Sequence, residues 1–104
     1  MDLIPDVELR RVLSDRLSTW ELDGKRLQRV FRFPSFQLAM KFVNRVAELA
    51  EEMDHHPDIA ISYDKVSLAL ISHDSGGITR RDLALAARID EIAPGSPPKG
   101  LQTA

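Results

Sequence analysis

The spacing of apolar positions changes several times along this chain, and each change marks a predicted element. After Pro5, which can begin a helix, Val7, Leu9, Val12, Leu13 and Leu17 form a loose helical face, with Arg10, Arg11, Asp15 and Arg16 on the wet side. Trp20 and Leu22 alternate about Glu21, and Asp23-Gly24 then predicts a tight turn, because the favoured hairpin turn needs positive φ at both central residues. The return strand, 25–33, puts Leu27, Phe31 and Phe33 on one side and Val30 on the other. Ser35 is a candidate N-cap for a long helix in which Phe36, Ala39, Met40, Val43, Val46, Ala47, Ala50 and Met53 recur at steps of three and four. Pro57 ends that helix, since the residue before a proline is steered out of the α region.

A second hairpin follows. Ile59, Ile61 and Tyr63 alternate with Ala60 and Ser62, Asp64-Lys65 predicts the turn, and Val66, Leu68 and Leu70 alternate with Ser67, Ala69 and Ile71. That last strand is apolar on nearly both faces, as a covered central strand would be. Thr79 followed by Asp82 is a capping-box pattern, with Asp in place of the usual Glu, and opens a helix to Ile92 with Leu83, Ala86, Ala87 and Ile92 inward. The reading is an α+β domain over 1–92 in the order α-β-β-α-β-β-α, a four-stranded antiparallel sheet with three helices on one face. The tail, 93–104, is expected to be disordered, because Pro94, Gly95, Pro97, Pro98 and Gly100 leave little to pack.

Composition narrows the function. The 104 residues suit one domain, and 14 Lys plus Arg against 16 Asp plus Glu give a formal charge of −2, with no basic excess to attract a nucleic-acid backbone. The chain has no cysteine, which excludes a thiolate nucleophile, a disulfide framework and a Cys-based metal site. Its uncharged apolar runs fall far short of the roughly 20 residues that span a bilayer, and the N-terminus has no basic segment followed by an apolar core. A cytoplasmic protein without membrane contact is expected. A small sheet with apolar character on both sides invites self-association, so a homo-oligomer is expected as well.

The three histidines, His55, His56 and His73, converge on one predicted place. If Asp64 and Lys65 are the central turn residues, 63 pairs with 66 and, on that register, 56 faces 73. His55 lies beside them at the end of the long helix, with Glu51 one turn back on its face. Imidazoles have ordinary pKa values near ~6.5, so small environmental differences can keep one protonated and another neutral, as a paired general acid and base require. Elimination of water fits such a pair and needs no cofactor. The competing readings are a polar loop before Pro57 and a zinc site completed by Asp54 or Asp74. Against zinc, no His-x-x-x-His pair is present. Asp82 is in the first instance a helix cap, and Trp20 a core or interface residue.

These residues carry a resemblance. The run Glu51-Glu52-Met53-Asp54-His55-His56-Pro57-Asp58, then Tyr63 and Val66, Ser72-His73-Asp74, Gly76-Gly77-Ile78-Thr79-x-x-Asp82 and Leu85-Ala86 closely resembles the pterin-4a-carbinolamine dehydratases. Trp20 and Phe33-x-x-Phe36 match upstream, so the similarity extends from the first helix to Ile92. The resemblance implies the fold already read, association into homodimers or homotetramers, and dehydration of 4a-hydroxytetrahydropterin to quinonoid dihydropterin without a cofactor or metal. It implies that His55 and His73 transfer protons and that His56 holds the pterin, with Glu51, Asp54, Pro57 and Asp82 binding substrate or supporting the site. Ile59 and Ala60 stand where some members carry aromatic residues. Because a vertebrate member also serves as a dimerisation cofactor of a transcription activator, a non-catalytic partner protein is the alternative, and retention of all three histidines favours the enzyme.

Overall fold

The computed structural model describes residues 3–93, and the expected tail from residue 94 onward lies outside them. Seven elements follow one another: α1 (Asp6–Arg16), β1 (Glu21–Asp23), β2 (Arg26–Arg32), α2 (Phe36–Met53), β3 (Asp58–Ser62), β4 (Lys65–Leu70) and α3 (Arg80–Ile92). The strands form one antiparallel sheet in the order β1-β2-β4-β3. The expected α+β architecture and element order are therefore present. As its two-sided apolar pattern predicts, β4 is central, with Val66, Leu68 and Leu70 fully buried and Ala69 nearly so.

One sheet face carries the core. Leu27 and Phe31 of β2 and Val66, Leu68 and Leu70 of β4 point toward the helices and meet Phe42, Val46 and Leu49 of α2 together with Leu85 and Ile89 of α3. Phe42 seats α2 on the sheet, its ring centroid 4.7 Å from Phe31 and 5.1 Å from Phe33. The inward stripe of α2 is thus Ala39, Phe42, Val46, Leu49 and Ala50, turned partway round the helix from the expected one. Phe36 and Ala47 are exposed instead, and Met40 and Val43 are half-buried. A helix apolar over this much of its circumference does not reveal by spacing alone which part meets the sheet. Similar corrections apply in the other helices. Val7 is exposed, and Ala87 faces an open groove of about 440 Å³ between α1 and α3, while Leu85 and Ile89 take the inward places.

Both hairpin turns sit one residue away from the expected positions. Asp23 pairs with Arg26, so Gly24 and Lys25 are the central residues, with positive φ at Gly24 alone. That arrangement suits a turn whose first central residue is glycine. Ser62 pairs with Lys65, which makes Tyr63 and Asp64 the central residues of the second turn, with Tyr63 at φ 57°. Tyr63 therefore leaves the strand alternation and is 69 % exposed. Arg29 lies on the core side of β2, where its guanidinium reaches Asp90 of α3 at 2.6 Å and covers the Phe31 ring at 4.2 Å. Trp20, 3 % exposed, donates its indole N–H to the same carboxylate at 2.8 Å. Among the described residues, no helix is long and apolar enough to cross a membrane.

Candidate active site

The site begins where α2 stops. Asp54 adopts the left-handed conformation, φ 51° and ψ 44°, and its N–H binds back to Ala50 and Glu51. The His55 N–H then bonds the Ala50 carbonyl at 3.0 Å, completing the six-to-one closure that ends many helices. This position usually holds Gly or Asn, and Asp tolerates it better than bulkier residues do. Asp54 is exposed, and its visible role is to reverse the chain so that His55 turns inward. Pro57 then keeps the chain extended into β3.

His55 is 8 % exposed, and its Nε2 lies 2.6 Å from Oδ1 of Asp82, which is completely buried. Asp82 is the third residue of α3 and completes the expected capping box. Its Oδ2 accepts the Thr79 N–H at 2.8 Å and the Ser72 hydroxyl at 2.8 Å. Buried carboxylates persist only when their lone pairs are filled, and three donors fill them here. With Nε2 donating to Asp82, the neutral His55 ring carries its lone pair on Nδ1.

His56 takes the opposite environment. Its Nε2 meets Oε2 of Glu51 at 2.7 Å, with side-chain exposures of 57 % for His56 and 78 % for Glu51. Glu51, expected to back His55, thus serves its neighbour. His73 lies beyond β4 in the turn that Ser72 closes, where the Ser72 N–H bonds Gly77 and its carbonyl accepts from Ser75 and Gly76. Gly76 has φ 76° there. His73 is exposed and shares no hydrogen bond with either of the other imidazoles. The expected facing of 56 and 73 on a strand register does not occur: the pairing runs from Asp58↔Ala69 to Ser62↔Lys65, and neither histidine lies in a strand.

The His73 turn is nonetheless tied to α3 on both sides. Ser72 reaches Asp82 inside, and outside Asp74 accepts from Arg81 at 2.8 Å. The hydrogen bond from Arg81 holds the Asp74 carboxyl below the ordinary carboxylate range, against the opposing effect of desolvation and with the Arg81 charge adding to it. No group of three or more His, Asp and Glu side chains is gathered among the described residues as a metal would require.

The profile of the pterin 4 alpha carbinolamine dehydratase family matches residues 2–92. The chain belongs to that family. Relatives bearing the family's name include a protein from Thermomicrobium roseum, 48 % identical over 89 % of this chain and 99 % of its own, and one from Koribacter versatilis, 48 % identical over 88 % and 96 %. Among solved structures, the chain is similar to a transcriptional coactivator/pterin dehydratase from Brucella melitensis, with a TM-score of 0.80 and 30 % identity over 88 % of this chain and 98 % of that one. It is also similar to a pterin dehydratase-like protein identified as a RuBisCO assembly factor in the alpha-carboxysome. There the TM-score is 0.64, with 31 % identity over 75 % of this chain and 93 % of that one.

Two residues escaped the sequence reading. Ser72 enters it only as the residue before His73 in the family resemblance, yet it is 1 % exposed and bonds Asp82. Thr79 was read as a cap alone, yet its hydroxyl also meets Ser72 at 2.8 Å. The available signal was a hydroxyl residue beside each end of a two-glycine turn that leads into a capping box.

Proposed function

We propose that this chain dehydrates 4a-hydroxytetrahydropterin to quinonoid dihydropterin by general acid–base catalysis in the cytoplasm. The reaction breaks the C4a–O bond, releases water and forms a C4a–N5 double bond. One imidazole gives a proton to the departing 4a hydroxyl and another takes the proton from N5, and we assign these transfers to His55 and His73. His56, steadied by Glu51, is assigned to hold the pterin. Asp54 and Pro57 support the site by turning and stiffening the chain on either side of the two histidines.

The observation that carries this reading is the His55–Asp82 contact. A buried carboxylate holding Nε2–H accepts from His55 in both its neutral and its protonated form, so Nδ1 is left as the atom where a proton enters and leaves. The same carboxylate is bonded by the residue preceding His73. Membership of the dehydratase family supplies the substrate class. Stopped-flow absorbance of carbinolamine decay tests the reading. The expected result is a decay rate that rises in proportion to protein concentration, and a rate equal to the spontaneous one overturns it.

Self-association belongs to the same proposal. Every residue of the edge strand β3 is exposed, including Ile59 and Ile61, and α2 leaves Phe36 48 % exposed beside half-buried Met40 and Val43. Both surfaces suit a second copy of the chain, as a homodimer or homotetramer. Light scattering coupled to size exclusion gives the stoichiometry. A partner-binding role is the second reading, favoured by the two solved relatives described as a coactivator and an assembly factor. The retained His55, His56 and His73 favour catalysis.

A further inference from the structure

Ser72 lies at the junction of two parts of the site that are distant in sequence. Its backbone closes the turn carrying His73: the N–H bonds Gly77 at 2.9 Å, and the carbonyl accepts from Ser75 at 3.0 Å and Gly76 at 2.8 Å. Its side chain points the other way, 1 % exposed, onto the carboxylate that holds His55. A serine hydroxyl has one proton. Because Asp82, as a carboxylate, accepts only, the Ser72 proton goes to Asp82, and the 2.8 Å contact with Thr79 must then be donated by the threonine. Thr79 Oγ1 in turn accepts the Arg81 N–H at 3.2 Å. The result is a directed chain, Arg81 N–H to Thr79 hydroxyl to Ser72 hydroxyl to Asp82, met from the far side by His55 Nε2–H. Each bond in such a chain polarises the next.

We infer that Ser72 is a positioning residue of the acid–base centre, its hydroxyl coupling the turn that bears His73 to the Asp82 carboxylate that orients His55. The inference rests on the dehydratase reading for its catalytic consequence, and on geometry alone for its effect on the His55 ring. Without the hydroxyl, Asp82 Oδ2 keeps only the Thr79 N–H, so one of the three donors that place the carboxylate against His55 is lost. The His55–Asp82 bond is then less firmly oriented, and the His73 turn loses its side-chain tie to that carboxylate while keeping its own backbone bonds and the outer Asp74–Arg81 pair.

The test uses the full chain with Ser72→Ala and Ser72→Cys, the second keeping the volume while weakening the donor. Two-bond proton–nitrogen correlation spectra of the histidine rings report the His55 ring nitrogens and their hydrogen bonding, and steady-state kinetics separate kcat from KM. The expected result for a folded Ser72→Ala chain is a shift of the His55 ring-nitrogen resonances and a kcat lower by about ten- to a hundredfold, as misplacement of a catalytic group costs. KM should change little, and Ser72→Cys should fall between wild type and alanine in both readouts. A folded variant with unshifted His55 ring nitrogens and wild-type kcat overturns the inference. So does loss of folding in both variants, which would make Ser72 a structural residue only. If the wild-type chain does not accelerate dehydration, the functional reading fails, whereas the ring-nitrogen spectra still decide the role of Ser72.

Discussion

Two neighbouring histidines each meet a carboxylate at almost the same distance, 2.6 Å for His55–Asp82 and 2.7 Å for His56–Glu51, and the resemblance ends there. The first pair is buried and its carboxylate has three donors. The second stands mostly in solvent. Water screens the outer pair and competes for both partners, so its contribution to stability is small; the inner pair has no solvent to fall back on. Separation therefore says little about what a contact does. Burial and the remaining hydrogen bonds decide it.

The strongest way to break the contrast is Asp82→Ala. It removes one half of the capping box of α3 and leaves His55 Nε2–H, the Ser72 hydroxyl and the Thr79 N–H without their acceptor. Breaking a buried pair of this kind costs about 3–5 kcal/mol, well above the roughly 0.5–2 kcal/mol of a cap alone. Urea denaturation monitored by circular dichroism measures the loss. A midpoint shift no larger than a cap explains would show that the buried pair contributes nothing. His73→Ala comes next and acts on rate rather than stability: dehydration should slow by about 10²-fold or more, the contribution of one general acid or base, with an unchanged melt because His73 is exposed. Wild-type turnover in that variant would remove His73 from the chemistry.

Smaller effects sharpen the outer half. Glu51→Gln should change stability by less than about 1 kcal/mol, and raised salt should shrink the difference further. The smallest expected effect lies at Asp74. Its carboxyl titrates low because Arg81 bonds it, so the pair adds stability above the ordinary carboxylate range, and that stability is lost as pH falls through the lowered pKa. Arg81→Ala should move the Asp74 titration upward in carboxyl-carbon NMR, and an unmoved curve would refute the assignment.

Local rules made much of this legible in the sequence. Ser35 caps α2 through the Leu38 N–H at 3.2 Å, Thr79 and Asp82 form their box, and Pro57 follows the end of a helix, because each effect lies within a few residues. The errors arose where tertiary contact chooses among locally equivalent options. Both stripes of α2 are apolar, and only the stacking of Phe42 on Phe31 and Phe33 selects one. Asp64-Lys65 and Tyr63-Asp64 are equally poor turn signals, since the positive φ falls on a tyrosine. The carboxylate partner of Arg29 is distant in sequence, since Asp90, which it shares with Trp20, comes from α3 across the core. The residue types of the site were readable, but the placement of each histidine was not: nothing local distinguishes His55 from His56 except the left-handed turn at Asp54 that sends one ring inward.

Asp82 does two jobs with one carboxylate, and this bears on how the chain can change over generations. A lineage that abandoned the reaction could replace the exposed imidazole at 73 without harm to folding. Position 82 has no such freedom, because the aspartate that starts the last helix would still be required for the domain to hold its shape. An aspartate there can outlive the activity, so its presence in a distant cousin testifies to the architecture and not to the chemistry.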